Sequence, residues 1–357
     1  ALPHMRTDPN LYDGLAHACA SAGRTDEARM HGLKALELKN EETASISGLP
    51  LPALPPRDAQ RERQVIAFSL FGALPKYCET AVINVAQARK WLPEWVCRFY
   101  LDASVPLEVR HRLQEAGADV RMVSETDQTK IPGIMWRFLI LDDPSVDRYL
   151  LRDSDSLISA REASAVQAWV DGGQHFHVMR DHFNHAELLL AGMWGGVGGV
   201  FSQVREHMGD YFARHAHLGR VVDQHFLRTY IWPTVRQSML MHDSVFGFAG
   251  GVPFPPHPEH GFGPDFHVGC YQPGGTFASP HEGPDDSPVK WQMINAEGQV
   301  LATYTSTLRM GRWEAELPMA SWNALRKPLP LVVVLRSYCR FGWSLMIFRR
   351  PVMQWTR

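Results

Sequence analysis

The sequence predicts an α/β fold with a mostly parallel central sheet and helices on both faces. Three observations carry that expectation. Beyond Val65, strand-length apolar runs alternate with segments of helical spacing, joined by short connections. One of the helical segments, "PLEVRHRLQEAG", opens on proline and closes on glycine, as helices commonly do. Finally, "DRYLLRDSDSLIS" at 147–159 reads as core until it meets two aspartates one residue apart, Asp153 and Asp155.

The elements follow in order. Over residues 9–40, small or apolar side chains recur at helical spacing in two halves: Leu11, Leu15 and Ala18, then Ala28, Gly32, Ala35 and Leu38. "AGRTDEA" separates the halves, with Thr25 placed as the cap of the second helix. Leu15-Ala16, Gly23, Ala28 and Ala35 match the small-residue positions of a tetratricopeptide repeat, which this segment (6–45) resembles over one repeat length. A plain helical hairpin is the alternative. Either way a lone helix pair cannot bury its own face, so it must pack on the next domain or on further neighbours. The proline-rich "SGLPLPALPPRD" marks a stiff linker over 46–63.

The α/β domain is expected over 64–284. "VIAFSLFG", "WVCRFYLD", "ADVRMV" and "VDRYLLRDSD" read as its first four strands, and "CETAVINVAQARKWL" as its first helix. After about residue 285 the texture turns to β: "VKWQMINAEGQVLATYT" reads as a hairpin turned at Glu297-Gly298, followed by "RWEAELP", "LPLVVVLRS" and "WSLMIF". These form an antiparallel β unit over 285–357 with no chemistry of its own.

Composition bounds the function. The 357 residues are 45% hydrophobic and 21% charged, which is globular in character, and a formal charge of −2 gives no general attraction to nucleic acid or anionic lipid. No stripe of basic and aromatic residues suggests a nucleic-acid surface. Five scattered cysteines without a C-x-x-C argue against a disulfide framework and against a zinc site, and fit a reducing, cytoplasmic setting. No window has the apolar length of a membrane span. The opening "ALPHM" reads as a cloning remnant, so the natural chain is expected to extend further at this end.

In open parallel sheets, ligands bind at the carboxyl ends of the strands, and the acidic pair stands at such an end. Residues i and i+2 of an extended segment face the same side, so Asp153 and Asp155 can aim at one point. Two hard oxygen donors suit Mg2+ or Mn2+, which complete their shells with water and substrate phosphates. The bland alternative is that Asp153 caps the turn and Asp155 faces solvent.

With this strand end in view, the stretch from about Val65 to His267 resembles the A-type-fold, D-x-D-containing nucleotide-sugar glycosyltransferases. The resemblance rests on pieces in order: a Rossmann-like half leading to "RDSD", then "LLAGMWGG" at 189–196, then "VVDQHFLRTYIWP", which is similar to the D-Q-x-x-L segment of retaining transferases, and last "MHDS". The H-x-x-G-x-K-P-W ending of such enzymes is absent. The resemblance implies a hexosyltransferase-like enzyme using Mn2+ or Mg2+ and a nucleoside-diphosphate sugar, with a UDP-type donor favoured and retention leaned to by the D-Q pair. It implies Asp153 and Asp155 as metal ligands with His242 as the third, and a nitrogen ligand favours Mn2+. His257, His260 and His267 are rivals for that third place. Ser69, Phe71 and Asp102 would line the nucleotide pocket, and Arg137 and Arg152 would pair with the diphosphate. Arg152 could equally be a salt partner of Asp153. Gly192, Gly195, Gly196 and Trp194 would lie under the sugar. Asp223 and Gln224 would contact the sugar, and Asp181, Asp223 or Asp243 would serve as base in an inverting reaction, with His182 beside Asp181 as a further polar group.

Two other readings stand beside this one. A non-catalytic scaffold would keep the fold as a degenerate transferase and bind protein through the helical repeat. A metallophosphohydrolase would use the H-D and D-H pairs of "MHDS" and "RDHFNH" among the 17 histidines. The acceptor is expected to be a glycan, a bacterial polysaccharide precursor or a protein, and the enzyme could sit at the inner face of a membrane.

Overall fold

The computed structural model describes residues 7–54, 63–258, 266–271, 274–295, 298–318, 334–339 and 342–347. It opens with two helices, α1 (Pro9–Ser21) and α2 (Thr25–Glu42). Asp8 caps α1 by accepting from the Asn10 amide. Thr25 is the first residue of α2 rather than its cap; Arg24 holds the cap position without a side-chain bond.

The hairpin is docked on the α/β domain. Ala35 and Leu36 join the large core, and Gly32 lies so close to Phe246 that a Cβ there would meet the ring at 2.2 Å. Lys39 is fully buried and donates to the Ala186 carbonyl at 2.6 Å, with Asp13 at 3.2 Å and Glu187 at 3.3 Å. The helix face that cannot bury itself is thus covered by the neighbouring domain. The linker also runs along that domain: the Leu49 amide donates to Thr234 Oγ1 at 2.9 Å, and the Pro52 carbonyl meets His175 Nε2 at 2.7 Å. Residues 55–62 of the linker lie outside the described residues.

The α/β domain runs β1 (Gln64–Leu70), α3 (Pro75–Trp91), β2 (Trp95–Leu101), α4 (Leu107–Glu115), β3 (Asp119–Met122), α5 (Glu125–Lys130), β4 (Arg148–Arg152), α6 (Ala160–Asp171), β5 (Phe176–Arg180), β6 (Trp194–Val197), α7 (Val204–His215), α8 (Val222–Phe226), α9 (Trp232–Val235) and β7 (Met239–Asp243). A 3-10 segment, Gly133–Asp142, precedes β4. The seven strands form one sheet in the order β3-β2-β1-β4-β6-β5-β7. Every pairing is parallel except those of β6, which runs antiparallel between β4 and β5. This is the mostly parallel sheet the alternation of runs predicts. β1 and β4 lie side by side with Phe68 opposite Arg152, so their carboxyl ends open on the same edge.

The C-terminal β unit contains β8 (Gly274–Pro280), β9 (Pro288–Ile294), β10 (Val300–Thr307), β11 (Arg312–Pro318), β12 (Val334–Cys339) and β13 (Gly342–Ile347). β9 and β10 form the expected antiparallel hairpin; Gly298 has φ +83, the left-handed turn conformation, while Glu297 lies outside the described residues. The unit reaches back to Gly274, earlier than the boundary at 285, because β8 pairs with β11. "GGTFASP" has too little apolar alternation to read as a strand, and tertiary pairing makes it one. Trp291 and Trp313 stack at 5.4 Å, and Tyr304 donates to Glu79 of α3 at 2.6 Å, so this unit shares the core on that face of the sheet.

Candidate active site

Five of the expected residues converge where β1 and β4 end. Arg137, buried in the 3-10 segment, is their hub. Its backbone N–H donates to Ser69 Oγ at 2.9 Å, fastening it to the end of β1. Its Nη1 pairs with the Asp153 carboxylate and reaches the Arg152 carbonyl at 3.3 Å, while Nη2 stands 3.5 Å from Asp223 Oδ2. The guanidinium therefore joins the D-x-D to the D-Q pair, and its Nε has no partner.

The turn carrying the acidic pair is held from below by a residue the sequence reading passed over. Asn84 of α3, fully buried, donates to the Ser156 carbonyl at 2.8 Å and accepts from the Ile158 amide at 3.1 Å. Asp155 is pushed up to about 6 by burial and then by the charge of Asp153; Lys76 and Arg137 pull the other way. Lys76, at the start of α3, was also missed, though a lysine just after a strand that ends at a ligand edge is a legible signal. Asp223 is raised as well, first by burial, against the pull of Arg137. Two carboxylates held above their usual range thus stand beside Asp153, with Arg137 shared among them. Gly192 faces Asp153 so closely that a Cβ would lie 2.1 Å from Oδ2, so the backbone of "LLAGMWGG" forms a wall against this carboxylate. A bridge between Ser156 and Tyr271 lays the 266–271 segment beside the turn, leaving Tyr271 64% exposed.

The residues expected to line a nucleotide pocket stand near this edge. Phe71 is half-exposed, edge-on to Trp136 at 5.8 Å, and its ring covers Gly133, where a Cβ would meet it at 2.6 Å. Asp102 accepts from the Ser104 amide at 3.1 Å and from its hydroxyl, and Ser104 Oγ accepts from the Gly72 amide at 2.6 Å. Gln224 donates its backbone N–H to Asp223 Oδ1 at 2.8 Å.

Other expected residues are used elsewhere. Arg152 is buried, pairs with Glu162, and donates to the Leu151 and Trp194 carbonyls at 2.7 and 3.0 Å, so its guanidinium is engaged inside the domain rather than with Asp153. Adjacent strand residues face opposite sides, which sends Arg152 down when Asp153 faces up. Trp194 is fully buried, edge-on to Tyr149 at 5.7 Å, and offers no face to a sugar. Gly195 and Gly196 serve that packing: a Cβ on either would strike Tyr149 or Phe176 within 2.6 Å. β6 lies inside the sheet with neighbours on both edges, so its glycines admit other strands rather than a ligand.

Asp181 is saturated. Arg161 donates to it twice, at 2.9 and 2.7 Å, Ser244 Oγ at 2.6 Å and the Val268 amide at 3.1 Å. Asp243 accepts from the amides of Val245, Phe246 and Phe248 at 2.8, 2.7 and 3.2 Å. Both carboxylates fasten loops, whereas Asp223, the third base contender, makes no such set of loop bonds and is held above its usual range, first by burial. His242 shares its Nδ1 with His177 Nε2 at 2.9 Å, and burial lowers it to about 4. Asp153, Asp155 and His242 do not bring three ligand atoms within 4.8 Å of one another. His267 packs against His182 at 4.2 Å and His185 at 5.1 Å, His257 Nδ1 meets the Pro255 carbonyl at 3.0 Å, and His260 lies outside the described residues.

No protein-family model matches the chain, and no curated protein matches it in sequence. Among solved structures it is similar to the galactosyltransferase LgtC in complex with donor and acceptor sugar analogues, at 16% identity over 51% of this chain and 73% of that one, TM-score 0.34. It is similar to the mannosyltransferase PcManGT from Pyrobaculum calidifontis in complex with GDP-Man and Mn2+, at 12% identity over 66% and 67%, TM-score 0.34. A third is core-mannan synthase A from Aspergillus fumigatus in its Mn/GDP form, at 9% identity over 64% and 85%, TM-score 0.30. No helix among the described residues is long and apolar enough to cross a membrane.

Proposed function

We propose that this chain is a metal-dependent glycosyltransferase that moves a sugar from a nucleoside-diphosphate sugar to a hydroxyl acceptor. The observation that carries the reading is the acidic pair at the end of β4, with Asp155 held above its usual range and Asp153 joined to Asp223 by Arg137. The residues fit a divalent cation: two oxygen donors, one with raised proton affinity, and a glycine wall that leaves the Asp153 carboxylate in place. Asp153 and Asp155 would hold the ion, which when bound neutralises the diphosphate. Arg137, released from Asp153, would turn its planar fork to the same phosphates. Ser69, Phe71 and Asp102 would receive the nucleoside. The acceptor oxygen attacks the anomeric carbon as the bond from that carbon to the diphosphate oxygen breaks. In a retaining reaction the departing phosphate can take the acceptor's proton, and Asp223 then steadies the sugar. In an inverting one Asp223 is the base.

Thermal unfolding with a panel of nucleoside diphosphates, with and without Mn2+, tests this on the parent and on Asp155→Ala. A ligand that binds only the folded state adds roughly 2.7 kcal/mol at a hundredfold excess over its dissociation constant. Metal-dependent stabilisation by one nucleotide, lost in the variant, supports the transferase and identifies the base. No shift with any nucleotide favours the scaffold reading.

A further inference from the structure

We propose that Cys19, Glu27 and His31 form a second metal site, for a borderline ion such as Zn2+ or Co2+, on the helical hairpin and independent of the transferase centre. A Cys19 Sγ, a Glu27 carboxylate oxygen and a His31 ring nitrogen all lie within 4.8 Å of one another, and no other such trio occurs among the described residues. The placement follows from the sequence. Glu27 and His31 are four apart on α2 and so share a face. Gly23, at φ +73, turns the chain so that the last turn of α1, with Cys19, meets the first turns of α2.

The donor set selects the ion. A thiolate, an imidazole and a carboxylate together match Zn2+ and Co2+, whereas Mg2+ and Ca2+ take all-oxygen shells. Cys19 is a free, buried thiol, and its proton leaves to solvent when the metal binds. The Glu27 side chain is 44% exposed, which gives the ion a path in and leaves a fourth corner for water. Arg24 now pairs with Glu27, its Nε donating at 2.6 Å, but that pair is exposed and worth little, so a metal can displace it. Bound there, the ion ties α1 to α2, the helix that carries Leu36 and Lys39 into the domain.

The test is a Co2+ titration of the full chain without nucleotide, reading the thiolate-to-cobalt charge-transfer band, followed by displacement with Zn2+. The expected result is a band that saturates at one equivalent and disappears in Cys19→Ser. His31→Ala and Glu27→Gln should each weaken binding at least tenfold, and Arg24→Ala should tighten it by freeing Glu27. Asp155→Asn should leave the band intact, which separates this site from the proposed transferase centre. Absence of the band, or a band that survives Cys19→Ser, overturns the proposal. Glu27 and His31 lie on the partly exposed side, so their variants keep the test decisive even if Cys19→Ser folds poorly.

Discussion

Replacing Asp155 with asparagine should make the metal-free protein more stable while removing its response to metal. In the folded chain Asp155 titrates at about 6 rather than 3.8, because it is buried and faces Asp153. Below 3.8 both folded and unfolded chains hold the proton, and the group costs nothing. Between 3.8 and about 6 the unfolded chain ionises first, so folding loses free energy as pH rises; above 6 the loss is constant. At about 1.4 kcal/mol per pH unit the full penalty is about 3 kcal/mol. Residual contact with solvent reduces this to roughly 1–2 kcal/mol. Asparagine is nearly isosteric and carries no charge, so the variant should melt a few degrees higher at pH 7.5, at about 2–4 °C per kcal/mol. The assay is thermal or urea unfolding of both proteins in chelator at pH 4.5 and 7.5, repeated at pH 7.5 with Mn2+. The gap should shrink at the lower pH, and Mn2+ should stabilise only the parent. A variant no more stable than the parent at pH 7.5, or a gap indifferent to pH, would refute the claim that Asp155 is held against the charge of Asp153.

Three further outcomes follow from the same geometry. Gly192→Ala puts a methyl where the Asp153 carboxylate lies and should weaken Mn2+ binding at least tenfold by calorimetry, whereas Gly173→Ala, with nothing within 4 Å, should not. Arg137→Lys keeps the charge but loses the fork that spans Asp153 and Asp223, so nucleotide affinity should fall about tenfold or more in a fluorescence competition assay. Trp194→Ala should cost about 3–5 kcal/mol in urea unfolding, as for any large buried aromatic; a sugar-stacking Trp194 would instead lose ligand affinity with little change in stability.

The order of strands and helices was legible because each carries its own period and punctuation. β1, β2 and β4 each carry a short apolar run, and α3 and α4 start on or next to prolines at the ends of loops. β8 was not legible, since "GGTFASP" becomes a strand only through β11. The acidic pair was visible because its spacing acts locally, but what surrounds it depends on long-range contacts. Arg152 and Arg137 have equal charge in the sequence; only the pleat of β4 and the docking of α6 send one to Glu162 and the other to Asp153. Trp194 misled for a related reason. Its flanking glycines suggested open backbone, and they in fact admit Tyr149 and Phe176. Asn84 could not be found from sequence, because an asparagine within a helix signals its role only once the turn it grips is known.

Burial of charge does not by itself mark the site, since the hairpin's docking network is buried too. The difference lies in how each carboxylate is compensated. Glu187 accepts from Arg228 Nη2 at 2.6 Å, from Arg228 Nε at 3.2 Å and from the Leu188 amide at 2.8 Å, with Lys39 at 3.3 Å. Burial pushes it up, but Lys39 and Arg228 outweigh that and hold it below its usual range. Asp155 and Asp223 are buried to a similar end with the opposite result: one guanidinium serves Asp153 and only grazes Asp223 at 3.5 Å, and both acids are raised. An apolar cluster would fold at least as well in their place. A buried acid whose partners lower it is fastening the fold, whereas acids left raised are what the cation proposed for this strand end would compensate.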